Sequence, residues 1–153
     1  MSLQKFLSDF AALGDRDLKM EYLIELAGHF KAPPADVAAK PYAESNKVPG
    51  CESEVYVWAR REGEDSKLRF YFAVENPQGV SAKALAVILD RYLSGHSVDY
   101  IADISPEIIY QLFGEELTMA RGQGLMNMIL AVKQLTLQNT EQEILNKSKI
   151  TVH

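Results

Sequence analysis

Residues 54–74, EVYVWARREGEDSKLRFYFAV, decide the fold. EVYVWARR at 54–61 and KLRFYFAV at 67–74 are dense in β-branched and aromatic residues, and the polar stretch EGEDS separates them. That pattern predicts a β-hairpin. Val55 and Val57 alternate with Tyr56 and Trp58, and Phe70 and Phe72 with Tyr71, so both faces carry bulky apolar groups and helices are expected to cover much of the sheet.

Helical patterns flank the hairpin on both sides. Leu3, Phe6, Leu7, Phe10 and Leu13 recur at spacings of three and four and stop at Gly14. A second helix, capped by Asp15 or Asp17, places Leu18, Tyr22, Leu26 and Ala27 on one stripe, widened by Leu23 and Ile24, and ends at Pro33-Pro34. Residues 31–50 hold four prolines, which predicts an irregular crossing with at most one helical turn at 35–39. After Asn76-Pro77-Gln78-Gly79, residues 80–93 are apolar nearly all round, the mark of a central helix packed on a sheet. Short helices are expected at 97–103 and 106–112, the latter opened by Ser105-Pro106. A last long helix begins near 120–122, with Leu125, Met128, Ile129 and Val132 inward. The expected class is α+β: a small antiparallel sheet, with or without a third strand, covered by several helices. The domain spans 1–136, and 137–153 forms a polar C-terminal extension or tail.

Composition narrows the function. The 153 residues carry a formal net charge of -5, which argues against a nucleic-acid partner. No apolar run reaches the roughly 20 residues of a membrane span, and the N-terminus has no secretory h-region, so a soluble, cytoplasmic protein with no membrane partner is expected. One cysteine, Cys51, excludes an internal disulfide and a cysteine-rich metal site.

Cys51 follows the turn dipeptide Pro49-Gly50 and precedes the first strand. That position leaves two readings open, a small buried hydrophobe or a thiol presented to a partner. Glu52 and Glu54 disfavour a thiolate, so activation must come from elsewhere in the fold. Arg121, at the start of the last helix, is a candidate, combining a cation with free helix N–H groups. A Cys-His hydrolase would need His29, His96 or His153 beside Cys51, and none carries a local signature. Gly122-Gln123-Gly124 lacks the lysine of a phosphate loop and reads as a helix entrance.

NKVPGCESEVYVWA at 46–59, LKMEYLIELA at 18–27 and LTMARGQGLMNM at 117–128 occur in an order and spacing that resemble the SufE family of sulfur-acceptor proteins. The chain departs from the family pattern at Glu52, where glutamine is usual, at Tyr56, where tryptophan is common, at Glu75-Asn76-Pro77, and at Ala120, where serine is frequent. The resemblance implies the fold shared with iron-sulfur scaffold proteins such as IscU. It implies that Cys51 accepts persulfide sulfur from a cysteine desulfurase of the SufS or CsdA kind, stimulating it, and passes the sulfur to a SufBCD-like iron-sulfur scaffold. Arg121 then gives electrostatic support, and Val48, Gly50, Glu52 and Ser53 belong to the partner-binding surface. No resident cofactor is implied: the sulfur rides covalently on Cys51, and pyridoxal phosphate belongs to the desulfurase. The implied protein is a carrier and activator rather than a stand-alone enzyme, a monomer or weak homodimer. The alternative is a docking module that regulates a desulfurase without carrying sulfur.

Overall fold

The computed structural model describes residues 2–114 and 117–151. The hairpin forms as expected: β1 (Val55–Glu62) pairs antiparallel with β2 (Lys67–Val74) in continuous register from Val55 opposite Val74 to Glu62 opposite Lys67. No third strand joins them among the described residues. A single bridge between Lys47 and Tyr56 stands in its place on the outer edge of β1, because the proline-rich approach runs extended for only that short stretch.

Helix α1 (Leu3–Ala12) is capped by the Ser2 hydroxyl, which accepts from the Lys5 N–H, and buries Leu3, Phe6 and Phe10. Helix α2 (Arg16–Gly28) is capped by Asp15, whose carboxylate accepts from the Asp17 and Leu18 N–H groups. Its expected broad stripe is corrected. Only Leu23 and Leu26 are buried, whereas Leu18, Tyr22 and Ile24 are substantially exposed. The reason is that α2 packs chiefly on one neighbour, α3 (Val80–Leu93), which shields a single narrow side. Helix α3 lies between α2 and β2 and buries Ala82, Ala84 through Leu89 and Leu93, fulfilling the all-round apolar reading.

Residues 35–37 form only a turn. Two short helices, α4 (Val98–Ala102) and α5 (Ile108–Phe113), lead to α6 (Met119–Thr151). The Thr118 hydroxyl caps α6 by accepting from the Arg121 N–H at 3.2 Å. This helix is 33 residues long, so the polar segment beyond 136 is a continuation of it. Arg61 of β1 reaches Glu143 on that continuation at 3.0 Å.

Helices cover one face of the hairpin, through α3 on β2 and α6 on β1. The other face is roofed by the irregular crossing. Tyr42 sits 5.2 Å from the Tyr56 ring and 5.0 Å from that of Trp58, and Arg60 bridges Asp36 and Glu62. Aromatic area from a loop removes these rings from water as effectively as a helix does.

Candidate functional site

The segment 46–54 is held by backbone pairing at both ends. Before the cysteine, the Asn46 side-chain amide donates to the Val57 carbonyl at 2.9 Å, and the Val48 N–H donates to the Val55 carbonyl at 2.8 Å. After it, the Glu54 N–H donates to the Cys51 carbonyl at 3.2 Å, and the Asn76 N–H to the Ser53 carbonyl at 3.1 Å. Gly50 adopts φ +69°, a left-handed conformation that other residues take at a cost, and so turns the chain at the residue before the thiol.

Helix α6 supplies the wall behind this loop. A Cβ on Gly124 would lie 2.9 Å from the Gly50 carbonyl oxygen and 3.2 Å from the Cys51 Cα, so the glycine lets the helix backbone touch the loop backbone. One turn on, the Asn127 side-chain amide donates to the Pro49 carbonyl at 2.8 Å, and its own oxygen accepts from the Gln123 amide at 2.9 Å. Gln123, Gly124 and Asn127 thereby fix the loop that carries Cys51. Sequence reasoning missed all three, having read Gly122-Gln123-Gly124 as a helix entrance alone; the local signal was a glycine inside an otherwise helical pattern, which marks a close approach.

Cys51 is half-buried at the edge of an open cleft of about 520 Å³, lined by Glu44, Lys47, Val48, Pro49, Gly50 and Glu52. Burial pushes the thiol pKa up, and the Glu52 charge pushes it the same way; the Ser53 backbone N–H opposes them. Burial and Glu52 thus both favour the thiol over the thiolate. Lys47, on the cleft wall, is a fourth residue that the sequence reading passed over.

The residues expected at the site divide into three. Gly50, Glu52 and Ser53 surround Cys51, with Gly50 and Glu52 exposed and Ser53 half-buried. Val48 lines the same cleft, but its side chain is 1% exposed and packs into the core, so it anchors the loop that carries Cys51. Arg121 lies in the first turn of α6, three residues before Gly124 and on its side of the helix, exposed and without a hydrogen bond or ion pair to Cys51. Neither described histidine reaches the thiol. His29 ends α2, and His96 stacks on Tyr100 with ring centroids 4.2 Å apart; His153 lies outside the described residues. The described residues hold no group of three His, Cys, Asp or Glu side chains suited to a metal ion, and no described helix is long and apolar enough to cross a membrane.

A half-buried, pinned thiol on an open cleft, with no described histidine beside it, is poorly equipped for hydrolysis. It suits exchange with a partner that reshapes its surroundings. Comparison with known proteins points the same way. A family model described as "SufE: Fe-S metabolism associated domain" matches residues 4–136. The chain is 28% identical over 135 residues to an uncharacterised SufE-like protein of Rhizobium etli, covering 87% of this chain and 88% of that one. It is 30% identical over 89 residues to the cysteine desulfuration protein SufE of Plasmodium falciparum, covering 58% of this chain and 36% of that one. A solution structure of a hypothetical protein from Thermus thermophilus superposes with a TM-score of 0.70 at 27% identity, covering 90% of this chain and 97% of that one.

Proposed function

The chain belongs to the SufE family, and from that premise we propose that it accepts sulfur on Cys51 from a cysteine desulfurase and hands it to an iron-sulfur scaffold. The observation that carries the proposal is the lone thiol at the lip of an open cleft, on a loop clamped by α6. The Plasmodium relative is named a cysteine desulfuration protein, which supports the same reading.

In the transfer, the Cys51 thiol loses its proton as the partner docks, and the thiolate attacks the outer sulfur of the desulfurase persulfide. A sulfur-sulfur bond forms on Cys51 as the one on the desulfurase breaks, and the desulfurase cysteine leaves as a thiolate that takes up a proton. One sulfur atom moves, and no outside oxidant or reductant is consumed. The resting environment works against the first step, since burial and Glu52 both hold the proton on. Docking therefore supplies the activation: opening the loop from α6 relieves burial, and Arg121 and Lys47 bring positive charge to the thiolate or the persulfide anion. Such gating keeps a reactive persulfide from forming with stray donors. Gly50, Glu52 and Ser53 border the docking surface, and the carrier needs no resident cofactor.

The half-buried, proton-holding thiol also favours a second reading, a docking module that stimulates a desulfurase without carrying sulfur. Cys51→Ser separates the two. With a cognate desulfurase, cysteine and a reductant, sulfide release stimulated by the wild-type chain falls to the unstimulated rate with the variant if Cys51 is the acceptor. Full stimulation by the variant overturns sulfur transfer in favour of docking alone.

A further inference from the structure

A second cavity lies on the outer edge of β2, whereas the Cys51 loop borders β1. It has a volume of about 360 Å³ and shares no residue with the Cys51 cleft. Its floor is apolar, made by Phe70 and Phe72 of β2 and Ala86 and Val87 of α3, all buried. Its rim is cationic: Lys31 from the segment after α2, Arg69 from β2 and Arg91 from α3, with His29 beside them. Among the described residues Lys31 and Arg91 form no ion pair, whereas Arg69 lies 6.0 Å from the Tyr71 ring centroid and its charge also acts on Glu62. The cavity's one carboxylate, Asp90, is engaged by the Ser94 hydroxyl at 2.8 Å.

The strand edge adds directional groups. The Phe70 N–H donates outward to the Ser94 hydroxyl at 3.0 Å, and the Leu68 carbonyl accepts from the Gly95 N–H at 2.8 Å. Even-numbered residues of β2 therefore turn their backbone groups away from β1. By the same alternation the Phe70 carbonyl and the Phe72 N–H face outward at the cavity, where no described residue partners them.

We propose that this cavity binds a small amphipathic anion, a phosphate monoester or carboxylate with a compact aryl or alkyl body, placing the body on Phe70, Phe72 and Val87 and the anionic head among Lys31, Arg69, Arg91 and the Phe72 N–H. Volume and chemistry both select this class. The space falls in the range of small-molecule sites, apolar with a few convergent polar groups. Guanidinium and ammonium groups at the rim of an apolar floor recognise an anion whose remainder seeks shelter from water.

The test is a backbone-amide NMR titration of the full chain with phenyl phosphate, inorganic phosphate and phenol as separate probes. Phenyl phosphate at millimolar concentration shifts the amides of Phe72, Lys31 and Arg91, and binds roughly tenfold more tightly than inorganic phosphate or phenol. Arg69→Gln and Arg91→Gln each weaken phenyl phosphate about tenfold, as loss of a charge-assisted hydrogen bond does, while Cys51→Ser leaves binding unchanged. Both arginines are exposed, so the amide spectra report directly that the variants remain folded. Equal effects from inorganic phosphate or phenol, undiminished binding by both arginine variants, or no shift at Phe72 would overturn the proposal.

Discussion

Gly124→Ala tests the clamp between α6 and the cysteine loop. The added methyl group would meet the Gly50 carbonyl oxygen at 2.9 Å and the Cys51 Cα at 3.2 Å. Both are backbone atoms, so no side-chain rotation relieves the contact and the loop must move away from the helix. Such overpacking costs about 1–3 kcal/mol. Alanine also favours the helix over glycine by about 1 kcal/mol, so the net destabilisation is between about zero and 2 kcal/mol. For a chain of this size that lowers Tm by up to roughly 8 °C. The more telling readout is the thiol. A displaced loop exposes Cys51, and relief of burial, the largest cause of its raised pKa, lowers that pKa. Alkylation by iodoacetamide near neutral pH therefore accelerates in the variant, and its pH-rate midpoint moves down. A variant that is more stable by the full helix-propensity gain, with unchanged alkylation kinetics, would refute the packing of Gly124 on the loop.

Further outcomes follow from the same geometry. Glu52→Gln removes a charge that raises the Cys51 pKa, so the variant's thiol titrates lower and alkylates faster at neutral pH, with little change in Tm. Asn127→Ala deletes the hydrogen bond to the Pro49 carbonyl and costs about 0.5–1.5 kcal/mol in urea unfolding. Because the folded state raises the Cys51 pKa, the native form holds that proton more tightly. The resulting stability is fully present below the unfolded thiol value of about 8.5 and is lost as pH rises through the folded value, so wild type loses stability relative to Cys51→Ala in that alkaline window. Asp15→Ala removes the α2 cap and costs about 1 kcal/mol in the same unfolding assay.

Local signals carried much of the fold. The hairpin was legible because β-branched and aromatic residues crowd two short runs around a polar turn, and α3 because its residues are apolar nearly all round. Tertiary choices were less legible. Leu18, Tyr22 and Ile24 have the spacing of a buried stripe, yet α2 meets too little of the protein to cover them. The polar residues after 136 read as an extension or a tail because amphipathicity fades there, and the choice between the two rests on the fold: a helix begun on a packed core can propagate outward once nucleated. At the site, the turn residue Gly50 and the lone Cys51 were visible, whereas the contact of Gly124 with the loop joins residues more than seventy positions apart. Val48 looked like part of a presented motif, and only the fold reveals that its side chain points into the core.

In the proposed transfer Cys51 itself holds the sulfur. Intact-mass analysis of the chain after incubation with an active cognate cysteine desulfurase and cysteine, without reductant, tests it most directly. The chain should gain the mass of one sulfur atom, a gain that a thiol reductant reverses and that Cys51→Ser abolishes. An unmodified chain beside a desulfurase that is turning over would contradict it.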